Sequence, residues 1–244
     1  MLLYNKKEEI IILRCINEVK LILDNNNLFR KQPLDTETEY MVMTLDDAYK
    51  AISFINNHLN ENTNFVSFSL ISNDPFAQYE DLILPIVKYI KALPKAFGII
   101  IYTDGLNGTE EQYAELKGFG AKLKIEIDMA KEHYNIPEER MNLIMKYFPL
   151  SRFNIHITAE NPDFISTWEY YKNFNLFEYN IDFDPNGNYS DEQFATFEES
   201  LNVIDQYIVS EFESHNVPVL PEMYRYMMWK VGVRDYFIRN DYYR

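Results

Sequence analysis

The chain has 244 residues, 38 acidic and 23 basic, for a formal net charge of −15. Its hydrophobic content of 47 % and aromatic content of 16 % exclude a disordered chain, and its length suits one large α/β domain or two small ones. The acidic balance argues against nucleic acid and anionic membrane surfaces as partners, and the single cysteine, Cys15, excludes an intramolecular disulfide.

A lone cysteine is the pattern of a reducing compartment, so a cytoplasmic protein is expected. No apolar run approaches the roughly 20 residues that span a bilayer. The start, Met1 to Lys7, places its charge after the apolar residues and does not read as a signal peptide.

Short strand-like runs alternate with amphipathic helix-like runs. Ile10 to Leu13 is a compact apolar run of strand character. Leu45 to Leu59 carries Ala48, Ala51, Ile52, Ile55 and Leu59 at helical spacing, with Thr44 as N-cap. Phe65 to Ile71 alternates as a strand, and Tyr79 to Leu93 has a helical period. Phe97 to Tyr102, with three consecutive Ile, is expected to be a strand buried on both faces. Thr109 to Phe119 is a helix closed near Gly118 and Gly120. Lys122 to Asp128 is an alternating strand, and Pro137 to Tyr147 a helix with Pro in its first turn. Strands at Phe153 to Thr158 and Glu178 to Phe183 alternate with helices at Pro162 to Phe174 and Asp191 to Glu213, the latter capped by Ser190.

This rhythm predicts parallel strands joined by right-handed crossovers. About six strands suit an open barrel or a doubly wound sheet, and no linker interrupts them. A single domain over 1–244 is expected, with residues 214–244 as an aromatic C-terminal helical extension.

Several junctions resemble the peptide-modifying branch of the radical S-adenosylmethionine (SAM) enzymes. Met43-Thr44-Leu45-Asp46-Asp47-Ala48 resembles the helix after that family's cluster loop. Phe65 to Pro75 resembles the strand ending in Gly-Gly-Glu-Pro, with Ser72, Asn73 and Asp74 replacing the first three motif residues. Ile101-Tyr102-Thr103-Asp104-Gly105 resembles the Thr-Asn-Gly strand end, and Gly120 to Asp128 the strand that follows. The likeness spans residues 8–213 and implies an open β/α barrel, radical SAM-like, of about six parallel strands.

The family's cluster loop is Cys-x3-Cys-x2-Cys. Its match in this chain is Cys15, Val19 and Ile22, a degenerate loop with one thiol. Iron–sulfur clusters need several thiolates, so no 4Fe-4S cluster and no bound SAM are expected. The resemblance then implies a non-catalytic scaffold acting in peptide or protein binding or in assembly. Two alternatives stay open: a metal-dependent enzyme using strand-end carboxylates, and a partner-dependent SAM-binding subunit of a radical enzyme. The sequence leaves the oligomeric state open.

Parallel α/β folds bind ligands at the carboxyl ends of their strands. Asp74, Thr103, Asp104, Asp128, Asp182 and Asp184 stand at such ends and form a candidate ligand-binding mouth. The opposing expectation is that these acids cap turns and helices. Asp182 to Gln193 also matches part of a calcium loop, but Gln193 stands where a bidentate Glu is required. His156, inside a strand run, is expected to be a satisfied interior or edge residue.

Overall fold

The computed structural model describes residues 18–24, 41–59, 66–72, 74–129, 135–159, 161–174, 176, 178–183 and 188–216. The expected strand at Ile10 to Leu13, Cys15, Asp184 and the tail from residue 217 lie outside the described residues. The chain divides into two compact units. One comprises Met1–Tyr102 with Ala114–Ala121, and the other Thr103–Tyr113 with Lys122–Arg244.

The first unit contains β1 (Glu18–Ile22), α1 (Leu45–His58), β2 (Val66–Ile71), α2 (Leu84–Ala92) and most of β3 (Phe97–Thr103). Helix α1 starts at its expected cap, where Thr44 Oγ1 accepts the Asp47 N–H at 3.1 Å. Asp46 and Asp47 then lie at the positive end of the helix dipole. The expected single helix from Tyr79 to Leu93 is two pieces: a π-helical turn over Tyr79–Ile83 runs into α2. The Ile83 N–H reaches Gln78 O at 3.1 Å, five residues back. Pro85 has no N–H to continue the ordinary ladder, and the wider turn places Tyr79, Leu82, Ile83 and Leu84 all in the interior.

The second unit contains β4 (Lys122–Asp128), α4 (Glu138–Tyr147), β5 (Arg152–Ile157), α5 (Ile165–Lys172), β6 (Glu178–Phe183) and α6 (Asp191–Glu213). Helix α3 (Glu110–Gly118) crosses the boundary between the units. It ends where Gly120, at φ +69°, lets its own N–H reach Lys117 O and the Ala121 N–H reach Leu116 O.

The strand order is β1-β2-β3-β4-β5-β6, an open α/β sheet. β1 pairs with β2 and β2 with β3 in parallel, as do β4 with β5 and β5 with β6. Side chains alternate between the two faces of each strand. In the first unit one face is apolar and buried: Phe68, Leu70, Phe97, Ile99 and Ile101. The opposite face carries Glu18, Lys20, Ser67 and Ser69, with Tyr102 at its end. Tyr102 and Ser69 both donate to the Glu18 carboxylate, Tyr102 at 3.3 Å. The expectation that β3 is buried on both faces is corrected, since Gly98 and Ile100 on this second face are half-exposed. Three consecutive Ile satisfied the pattern of a doubly covered strand, yet only Ile99 and Ile101 are in the core.

The second unit divides its faces in the same way. Phe153 of β5 packs on Tyr171 of α5 with ring centroids 5.9 Å apart. Trp168 of α5 donates its indole N–H to Tyr179 of β6 at 3.1 Å and packs edge-on against Tyr207 of α6. The apolar face therefore lies under helices, and the polar residues of β4, β5 and β6 occupy the other face.

Gly105 opens the loop after β3 with φ +78°. A Cβ there would lie 2.6 Å from Ile136 Cδ1 and 3.3 Å from Ile144 Cδ1. Gly105→Ala is therefore expected to lower stability by about 1–3 kcal/mol, from left-handed strain plus overpacking. Thermal unfolding would show a midpoint several degrees lower, and an unchanged midpoint would contradict this packing.

Candidate functional site

Strand register builds the polar face of the second unit. Glu126, Asn154 and Asn180 stand in one row across β4, β5 and β6, and Asp128, His156 and Asp182 in the next row toward the carboxyl ends. Lys124 precedes Glu126 on the same face.

Glu126 is the centre of this arrangement. Its side chain is 2 % exposed, and burial of an unpaired carboxylate is costly. Three neighbours supply the needed charge and donors. The Asn154 amide donates to Oε2 at 3.1 Å and approaches Oε1 at 3.3 Å. Lys124 Nζ lies 3.4 Å from Oε1, and His156 Nε2 is in direct contact with Oε2. The other ring nitrogen of His156 lies 3.6 Å from Asp182 Oδ2. Asp182 is 44 % exposed and also accepts a hydrogen bond from Asn180 at 2.8 Å. The result is a chain of polar contacts across three adjacent strands, buried at Glu126 and open to solvent at Asp182.

The predicted mouth residues divide between two roles. Asp74 accepts the Phe76 and Ala77 N–H groups, each at 3.1 Å, and so caps the turn before the π-helical turn. Asp104 accepts the Leu106 N–H at 3.1 Å in the same manner. Thr103 is buried, and its hydroxyl accepts the Gly105 N–H at 3.1 Å. These are turn-forming contacts. Asp128 and Asp182 instead flank His156 in register. Asp74 belongs to the first unit, whereas Thr103, Asp104, Asp128 and Asp182 belong to the second.

Val19 and Ile22 stand within β1, paired with Phe68 and Ile71 of β2, rather than in a loop. The segment between β1 and α1 therefore begins at Leu23, and residues 23–44 contain no cysteine. Cys15 precedes β1 in the sequence. The calcium-loop pattern is also accounted for at its end: Gln193 accepts the Ser190 N–H at 2.7 Å in a capping box and donates to Ala159 O. Among the described residues, no group of three His, Cys, Asp or Glu side chains is placed to hold a metal ion.

Sequence reasoning missed Glu126, Asn154, Lys124 and Asn180. Their signal was the alternation itself, since Lys124-Ile125-Glu126-Ile127 and Asn154-Ile155-His156-Ile157 place polar residues on one face. A further unforeseen contact supports the loop after β3. Arg140 of α4 donates to Leu106 O at 3.0 and 3.1 Å and to Gly108 O at 2.6 Å. Beside it, burial pushes the Tyr113 hydroxyl up to about 12, and that hydroxyl donates to Asn107 O at 2.8 Å.

No known protein-family signature matches the chain, and no curated protein matches it. Solved structures do. Native anSMEcpe with bound AdoMet superposes with a TM-score of 0.59 at 16 % identity, covering 83 % of this chain and 63 % of that one. Hexahistidine-tagged anSMEcpe with bound AdoMet gives 0.62 at 12 % identity, covering 83 % and 61 %. Native anSMEcpe with bound AdoMet and Cp18Cys peptide gives 0.59 at 15 % identity, covering 84 % and 63 %. The chain thus spans about three fifths of the length of those chains. The likeness establishes the radical SAM-like fold.

Glu126→Ala is expected to destabilise the chain by about 3 kcal/mol or more, because it removes the buried carboxylate contacted by the Asn154 amide, the Lys124 ammonium and the His156 ring. Chemical denaturation of Glu126→Ala, Asn154→Ala and the double variant checks this. The double variant should cost less than the sum of the singles, and strict additivity would dissolve the network.

Proposed function

We propose that this chain is a radical SAM-like scaffold that holds no iron–sulfur cluster and binds a peptide or protein segment. The supporting observation is the number and position of thiols in the sequence. The chain has one cysteine among 244 residues, and it precedes β1. A cluster loop of the Cys-x3-Cys-x2-Cys type would need three thiolates to anchor the cubane. The stretch from Leu23 to Thr44 offers Asp, Asn, Glu and backbone oxygens, and no thiol. The donor set of this chain does not fit the group.

Cleavage of SAM to a radical needs an electron from such a cluster, so that chemistry is not assigned to this chain. The strand-end motif supports the same reading. Asp74 stands where the family has Glu, and its Oδ1 accepts two backbone N–H groups of the turn. We therefore assign no resident SAM.

Binding of a peptide is supported by the neighbours in structure space, among them anSMEcpe with bound AdoMet and the Cp18Cys or Kp18Cys peptide. The polar face of β4, β5 and β6 suits an extended segment, because Asn180 and Asp182 offer amide and carboxylate groups at the spacing of alternate strand residues. The net charge of −15 favours a ligand with basic groups.

Anaerobic reconstitution with iron and sulfide, followed by incubation with SAM and a strong reductant, tests the central claim. The expected result is a colourless protein without stoichiometric iron and sulfide, and no 5′-deoxyadenosine. A brown protein that generates 5′-deoxyadenosine would overturn the reading.

A further inference from the structure

We propose that His156 is a proton-holding clamp, an imidazolium set between the carboxylates of Glu126 on β4 and Asp182 on β6 whose deprotonation removes its attraction for Asp182. The inference does not depend on the ligand reading above.

The argument is geometric. His156 Nε2 contacts the Glu126 carboxylate, and Nδ1 faces the Asp182 carboxylate at 3.6 Å. A neutral imidazole has one N–H donor and one lone pair. In either tautomer it would turn that lone pair toward a carboxylate. Only the protonated ring presents a donor to both acids.

The charged groups that strand register places near His156 can be weighed. Glu126 and Asp182 favour the cation, and Asp128 of β4 holds the register position opposite His156. Lys124 opposes it, but its ammonium lies against the other oxygen of Glu126, at 3.4 Å. Arg152 of β5 and Glu178 of β6 are in register with Lys124, one row beyond Glu126 and so farther along the strands from His156. Asn154 and Asn180 are neutral. The imidazole is 30 % exposed, so desolvation, which favours the neutral ring, is incomplete.

Proton loss would have a local consequence. The ring would keep one donor, and Glu126, being buried, has the stronger claim on it. Nδ1 would then repel Asp182, the acid at the open end of the network. A basic group arriving on this face would meet a carboxylate no longer neutralised by the imidazolium. The face would therefore change its charge with pH.

The sign for stability follows from linkage. A His protonated more readily in the folded state than in the unfolded state adds stability at low pH, fully present below the unfolded value of about 6.5. That contribution disappears as pH rises through the folded-state midpoint.

Histidine-resolved NMR titration of the full chain, with His156 assigned by its loss in His156→Gln, tests the proposal. The expected midpoint lies above about 6.5, the value of a free imidazole, and Glu126→Gln and Asp182→Asn each bring it down. Asp182 is half-exposed, so its variant remains informative should Glu126→Gln fail to fold. The stability advantage of the natural chain over His156→Gln should also shrink between neutral and alkaline pH. A midpoint at or below 6.5, or one unmoved by Asp182→Asn, would overturn the clamp.

Discussion

Parallel pairing in strict register is the constraint from which the rest of this structure follows. Each strand has a side-chain period of two, and pairing without slippage adds the periods into continuous rows. In β4, β5 and β6 this gives one face of Leu123, Ile125, Ile127, Phe153, Ile155, Tyr179 and Ile181, all buried. The other face collects Lys124, Glu126, Asn154, His156, Asn180 and Asp182. A slip of one residue between β4 and β5 would carry Glu126 toward the helices and Ile125 onto the polar rows.

Such an arrangement places charge inside the protein. Burying Glu126 would be unfavourable alone, and its desolvation is offset by an amide, an ammonium and an imidazole in contact with it. An apolar residue would fill the same position at less risk to stability. Retention of a buried acid surrounded by donors is a pattern of functional sites as well as of structural networks. Here the network leads outward to Asp182, so the buried acid is coupled to a side chain that solvent and ligands can reach.

Much of the fold was legible in the sequence because its signals are local. Thr44 and Ser190 cap the helices they were expected to cap, and the strands from Phe65 onward fall close to their predicted limits. The signals that failed were non-local or ambiguous. Glu18-Val19-Lys20-Leu21-Ile22 alternates as a strand should, but Cys15 beside it drew Val19 and Ile22 into a supposed loop. The π-helical turn keeps the apolar spacing of a helix closely enough to hide its extra residue. The acids at strand ends were visible, yet only pairing shows that Asp74 and Asp104 serve their own turns while Asp182 faces an imidazole. Alternation places Glu126 on the polar face, but its partners there, Asn154 and His156, come from the next strand and emerge only with pairing.

That extra residue before α2 also constrains how this chain can change over time. A π-helical turn is an α-helix with one residue inserted, and removing it would restore the regular ladder. The same deletion would rotate everything after it by about 100° about the helix axis. Ile86, Val87 and Ile90, now fully buried, would swing away from the interior together. A length variant in Tyr79–Ile83 would thus need several compensating substitutions at once, which makes this segment resistant to gain or loss of single residues.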